Sequence, residues 1–188
     1  MIEWLDAAPE LTVEDVNRLA SELSLADLCV VAGLSILGPV LIVDREVRES
    51  IASHVAASHV ELGGLLLGRA FVARIGASDE VPVAVWVKHS VRSMEMESTG
   101  VSLRMEPEVW SAARQLSDQL GLLVVGWYHS HPNLGAFFSG TDRKTQSRFF
   151  TQWYSLGYVV DPFKHEEKWF VGGDAQDMEL GRILFTAC

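Results

Sequence analysis

Cysteine is scarce in this chain. Cys29 and Cys188 are the two it has, one inside an apolar run and one at the last position. That pair excludes a disulfide framework and points to a reducing compartment. Basic residues are also few: 15 Lys and Arg stand against 25 Asp and Glu, for a formal charge of -10. Binding through nucleic-acid phosphates runs on clustered Lys and Arg, so no nucleic-acid partner is expected. The N-terminus "MIEWLDAAPE" has no basic stretch, so no secretory leader is expected either. The longest apolar run, Leu28 to Val43, is broken by Gly33, Ser35, Gly38 and Pro39. A spanning helix needs about 20 apolar residues, so the run reads as two buried pieces and no membrane segment. No repeat or low-complexity segment stands out. What is left is a cytoplasmic globular chain of 188 residues, enough for one domain with a hydrophobic core and an appendage.

Residues 1–39 read as that appendage, an acidic helical extension, and 40–188 as the main domain. The extension holds Glu3, Asp6, Glu10, Glu14, Asp15, Glu22 and Asp27 against Arg18 alone, more than half of the net charge. Thr12 with Asp15 resembles a capping box opening a first helix. Ser24 with Asp27 opens a second, which Gly33 would end. This segment is either a helical hairpin packed on the domain or a docking arm for a partner. From residue 40 strands and helices alternate. "VLIV", residues 62–72, 81–89 and 98–104, "LLVVGWYH", "LGYVVD" and "KWFVGG" read as strands. Residues 45–59, Pro107 to Leu120, and Asp142 to about Trp153 read as helices. The order predicts an α/β fold, a sheet with helices on its faces.

The chemistry gathers in "YHSHPNLGAFFSGTD". Residues i and i+2 of a strand share a face, so His129 and His131 project side by side, their Cα atoms about 7 Å apart. Pro132 ends the strand, and a loop must bring Asp142 back at the start of a helix. Two imidazoles and a carboxylate are the three protein ligands of a catalytic zinc site, with water fourth. Harder cations would want more oxygens. The bland alternative is a strand end followed by an ordinary helix cap. A hydrolytic zinc also needs a base. Glu61 enters the apolar, glycine-rich "LGGLLLG", and its carboxylate is either turned to solvent or kept for use.

"GWYHSHP", six residues and "SGTD" reproduce H-S-H-P-x6-S-x2-D. With the upstream Glu of "ELGGLLLG", the chain resembles the JAMM (MPN-plus) zinc metalloproteases from about Val40 to Gly173. "GYVVDP" and "STGVSLRMEPEVW" are similar to the proteasome-lid deubiquitinase and the signalosome deneddylase of that family. The resemblance implies a mixed β-sheet flanked by helices, layered as in cytidine deaminases. It implies one Zn2+ held by His129, His131 and Asp142, Glu61 as general base, and Ser139 as donor to the oxyanion. Ser130, between the histidines, is expected to face away in a supporting role. The implied reaction is cleavage after the C-terminal Gly of a ubiquitin-like modifier, either from a lysine or in precursor maturation. The modifier tail would lie extended along about Met94 to Leu103.

The chain departs from the eukaryotic pattern in lacking a long second insertion and C-terminal docking helices, and its acidic N-terminal segment has no counterpart there. It is thus expected to be a freestanding prokaryotic member. Some of those accompany ubiquitin-like proteins and their conjugating enzymes, including antiviral systems. Two other readings remain: a hydrolase of sulfur-carrier metabolism releasing an amino acid, and a metal-free scaffold, against which all five site positions stand. His54, His59, His89 and His165 are expected at surface or packing positions, and Trp127 in the core. Phe137 and Phe138 either shape a substrate slot or pack the loop.

Overall fold

The computed structural model describes residues 12–56, 58–76, 79–93, 97–99, 102–104 and 107–186. Glu3, Asp6, Glu10, Met94 and Cys188 lie outside them. The N-terminal segment carries β1 (Glu14–Asp15), α1 (Val16–Ala20) and α2 (Leu25–Leu34). Then follow β2 (Val40–Asp44), α3 (Arg45–Val55), β3 (Gly63–Ile75), β4 (Asp79–Arg92), β5 (Glu97–Thr99), β6 (Ser102–Arg104) and α4 (Pro107–Leu120). The chain continues with β7 (Leu123–Ser130), α5 (Gly140–Phe149), β8 (Leu156–Asp161), β9 (Glu166–Val171), β10 (Gln176–Asp177) and β11 (Ile183–Thr186).

The main sheet runs β10-β9-β8-β7-β3-β4-β2-β11, and β1 lies on β3 off this path. It is mixed. The β11, β2 and β4 strands run parallel, as do β7 and β8, whereas β3 is antiparallel to β4 and β7 and parallel to the short β1. Side chains alternate across each strand, and the core divides accordingly. Leu41, Val43 and Leu66 meet Val47, Ile51 and Val55 of α3 on one face. Leu65, Leu67 and Trp127 meet Val109 and Ala113 of α4 on the other. On that second face Val40, Ile42, Phe71 and Trp86 pack against Leu19 and Val31 of the N-terminal helices. This is the predicted α/β layering, a curled mixed sheet flanked by helices with a helical extension. Among the described residues no helix is long and apolar enough to cross a membrane.

Several expected boundaries move, each for a local reason. The box at Thr12 does not form. Asp15 caps α1 instead, its carboxylate accepting from Asn17 N at 2.9 Å. Glu14 and Asp15 are drawn into strand pairing because β7 covers β3 only as far as Gly68, leaving Phe71 and Val72 with an open side that β1 fills. Ser24 does cap α2, but the helix passes through Gly33, and the chain turns only at Gly38, whose φ of 130° suits glycine. The single strand expected at 98–104 is a hairpin of β5 and β6. Helix α3 stops at Val55, short of residue 59. Helix α5 runs from Gly140 to Phe149, short of Trp153, because Phe150 turns inward and packs beside Trp110 and Trp127.

Candidate metal centre

The end of β7 carries His129, and His131 follows the strand's last residue, Ser130. His129 lies in register with Gly63 of β3 and Val159 of β8, and it is fully buried. Trp127 stacks on its ring, centroids 4.6 Å apart and planes within 8°. The Trp127 indole N–H donates to Gln146 Oε1 at 2.7 Å, and Gln146 Nε2 donates to the Gly172 carbonyl at 3.0 Å. A buried chain of contacts therefore fixes the His129 plane from behind. Trp127 is in the core as expected, but it also braces the site. Gln146 was missed by sequence reasoning. Its signal was its spacing, four residues after Asp142 and hence on the same helical face.

Ser130 turns away from the histidines and joins β7 to the Glu61 segment. Its N–H donates to the Leu62 carbonyl at 2.7 Å, and its hydroxyl accepts from Leu62 N at 3.0 Å. Those two bonds set the residue next to Glu61. His131 follows, with its N–H donating to the Val160 carbonyl at 2.9 Å. The intervening loop is anchored by Phe138, which stacks on Phe170 with centroids 4.0 Å apart. A Cβ at Gly157 would run into the Phe138 ring, so only glycine leaves room for this plug. Phe137 goes the other way. It is 46% exposed, with its ring 4.9 Å from that of His131.

Ser139 and Asp142 form a capping box at the start of α5. Asp142 N donates to Ser139 Oγ at 3.2 Å, and Ser139 N donates to Asp142 Oδ2 at 2.6 Å. The helix cap and the ligand arrangement thus coexist. Asp142 is the third residue of the helix, not its first, and the box points its carboxylate back toward the histidines. The His129 and His131 Nε2 atoms are 3.0 Å apart. Asp142 Oδ1 is 3.4 Å from His129 Nε2, and Oδ2 is 3.7 Å from His131 Nε2. Tetrahedral zinc with bonds of about 2.0–2.1 Å separates neighbouring ligand atoms by roughly 3.3 Å. His129, His131 and Asp142, all buried, therefore form a cluster able to coordinate one metal ion. Glu61 Oε1 stands 3.9 Å from His131 Nε2.

Burial, with His129 as neighbour, pushes His131 below its ordinary value, which favours the uncharged ring that a metal can bind. Burial alone would raise the Asp142 carboxyl, but the His129 contact and the Ser139 bonds outweigh it and hold the group at about 2. Burial raises Glu61, the direction that makes a carboxylate a better proton acceptor.

The remaining histidines stand apart from the cluster. His54 Nδ1 lies 2.8 Å from the Tyr128 hydroxyl, His59 stacks on Phe163, His89 lies in β4, and His165 sits in the β8–β9 turn with φ 55°.

The family described as prokaryotic homologs of the JAB domain matches residues 44–171. The 26S proteasome non-ATPase regulatory subunit 14 of Drosophila melanogaster is 37% identical over 109 residues, 56% of this chain and 32% of its own length. COP9 signalosome complex subunit 5 of Eremothecium gossypii is 52% identical over 44 residues, 22% of this chain and 10% of its own. A histone deubiquitinase of Branchiostoma floridae is 36% identical over 72 residues, 35% of this chain and 9% of its own. The chain therefore spans a third or less of the length of these relatives. A protein of Desulfitobacterium hafniense, solved in solution, shares the fold with a TM-score of 0.59 at 21% identity, covering 79% of this chain and 94% of that one. The chain belongs to the family of prokaryotic JAB-domain homologues and is a JAMM/MPN-domain protein, related over part of its length to these proteasome and signalosome subunits.

Proposed function

We propose that this JAB-domain chain is a zinc-dependent isopeptidase or peptidase that cleaves after the C-terminal glycine of a ubiquitin-like modifier. The observation that carries the reading is the convergence of His129, His131 and Asp142 with Glu61 3.9 Å from His131. In this reading the first three residues hold the ion, Glu61 is the general base, and Ser139 is the oxyanion donor. Bound there, zinc supplies a water of pKa near 7 and a Lewis acid for the carbonyl oxygen.

The chain's own groups supply the rest. Glu61 accepts the proton of the attacking water as the C–O bond forms. It returns that proton to the amine nitrogen as the C–N bond breaks. The Ser139 hydroxyl spends a lone pair on Asp142 N, which leaves its O–H to donate to the oxyanion. A tail ending in glycine suits this reading because it brings no side chain against the exposed Phe137 ring beside His131. The same proposal treats 1–39 as an extension that contacts a protein partner and 40–188 as the catalytic domain. It places the enzyme in the cytoplasm, beside a prokaryotic conjugation pathway of the antiviral kind.

The test offers candidate modifiers, fused through Gly-Gly to a lysine-bearing protein, with and without a chelator. Cleavage that stops on chelation and returns with zinc is the expected result. Protein purified without chelator that contains no zinc would overturn the reading and favour a metal-free scaffold. Cleavage of an amino acid from a sulfur-carrier protein, and of no modifier conjugate, would move the substrate to that class.

A further inference from the structure

Asp161 ends β8 and is fully buried, yet the proposed chemistry leaves it without a task. Its carboxylate accepts four backbone N–H bonds. Two come from the loop that follows His131: Asn133 N to Oδ1 at 3.1 Å and Gly135 N to Oδ2 at 2.7 Å. Two come from the β8–β9 turn: Phe163 N at 3.0 Å and Lys164 N at 3.1 Å, both to Oδ1. The loop half is unusual backbone. Asn133 has φ 64° and Gly135 φ 94°, both in the left-handed region, where a non-glycine residue needs outside support. The turn half reaches further, because Phe163 stacks on His59 with centroids 4.8 Å apart. His59 lies two residues before Glu61. One carboxylate thus ties the loop joining His131 to Ser139 to the turn that braces the Glu61 segment.

We infer that Asp161 is a positioning residue that holds the loop between His131 and Asp142 in metal-binding geometry before any ion arrives. The inference rests on the metal-site reading above. Its chemistry is charge-assisted bonding, where an ionised acceptor strengthens each N–H bond. An amide at the same place has one acceptor oxygen and turns an NH2 group toward N–H donors. Partners of this indirect kind alter metal affinity or activity by about 10–100-fold when removed.

The experiment uses the full chain and zinc alone as probe. Asp161→Asn is compared with the parent by competition with a chromogenic chelator, by the Co(II) absorption spectrum, and by thermal unfolding. Zinc affinity is expected to fall about 10–100-fold, with an altered Co(II) spectrum, in protein that remains folded. A lowered melting temperature with parental zinc affinity and parental Co(II) spectrum means the residue is merely structural and overturns the inference. Should Asp161→Asn not fold, amide hydrogen exchange on the metal-free parent decides. Slow exchange at Asn133 and Gly135 supports a loop already held, and exchange at the rate of a free amide overturns it. A parent that binds no zinc defeats the function proposed above, while the exchange rates still judge Asp161.

Discussion

Asp44 and Asp142 are both carboxylates only 4% exposed, but their surroundings differ. Asp44, at the end of β2, has its oxygens filled by the protein. It accepts from Trp86 Nε1 at 2.6 Å and Thr186 Oγ1 at 2.9 Å, and the Lys88 ammonium lies 3.8 Å away. The nearby Arg69 is likewise met by Glu14 and Glu22. Asp142 accepts from Ser139 N and otherwise faces the rings of His129 and His131. Among the described residues the Nδ1 atoms of those rings meet no hydrogen-bond partner at ordinary geometry. Around Asp44 and the N-terminal helices, charge is cancelled from within, as stability requires. Among the described residues no Lys or Arg pairs with Asp142, and its carboxylate and the two imidazoles are spaced to hold an ion.

That contrast is broken most severely at Glu61. Glu61→Ala is expected to slow cleavage about 10²–10⁴-fold while zinc stays bound, read by single-turnover assay and metal analysis. Parental cleavage by this variant defeats the mechanism. Ser139 comes next, because it serves both chemistry and fold. Ser139→Ala should cost about 10²–10³ in kcat and also about 1 kcal/mol of stability through the lost cap. Ser139→Gly sharpens the point, since glycine tolerates the cap position and costs only a few tenths of a kcal/mol. The same kcat loss with near-parental denaturation separates the two roles, whereas near-parental kcat denies Ser139 its oxyanion role.

On the arm side the effects fall on stability alone. Arg69→Met removes the cation that Glu14 and Glu22 share and leaves Glu14 only the exposed Arg18 at 3.8 Å. A fall of about 1–3 kcal/mol in unfolding free energy is expected, less than for a fully buried pair, with kcat unchanged. A changed kcat would mean that the arm and the site are coupled. Acid should act on the same contacts. The Arg69 hydrogen bond holds the Glu14 carboxyl below its ordinary 4.5. Its contribution is therefore complete above that value and is lost as pH falls through the lower folded value. Faster hydrogen exchange across residues 14–34 below about pH 4.5, absent from Arg69→Met, is the expected reading. The smallest effect belongs to Lys168→Ala. Its pair with Asp177 is exposed on both sides, and a loss under about 0.5 kcal/mol is expected by chemical denaturation.

Most strand positions were legible because a half-buried strand must alternate and a fully buried one must be apolar. The helix from Pro107 to Leu120 was read to the residue, since proline suits a first turn and Gly121, with φ 66°, ends the helix. The cluster of His129, His131 and Asp142 was legible in part because two residues one apart in extended chain turn their side chains the same way. What failed was long-range. The capping residue of α1 moved from Thr12 to Asp15 because a distant strand, β3, had an open side. Phe150 left its helix for a core that the local pattern does not reveal. Gln146 and Asp161 went unread as parts of the site. Each bonds partners more than fifteen residues away, and such contacts leave no periodic trace.

The sequence by itself determined the α/β class, the pairing of two imidazoles on one strand end, and the capping box that aims Asp142. Each follows from dihedral geometry within a few residues. Only the tertiary structure decided that Glu61 stands within 4 Å of His131, that Trp127 and Gln146 brace His129, and that Asp161 binds the metal-ligand loop to the next turn. Those facts depend on which strands become neighbours. Strand pairing is chosen by the burial of the whole sheet, a sum over distant residues that no local stretch contains.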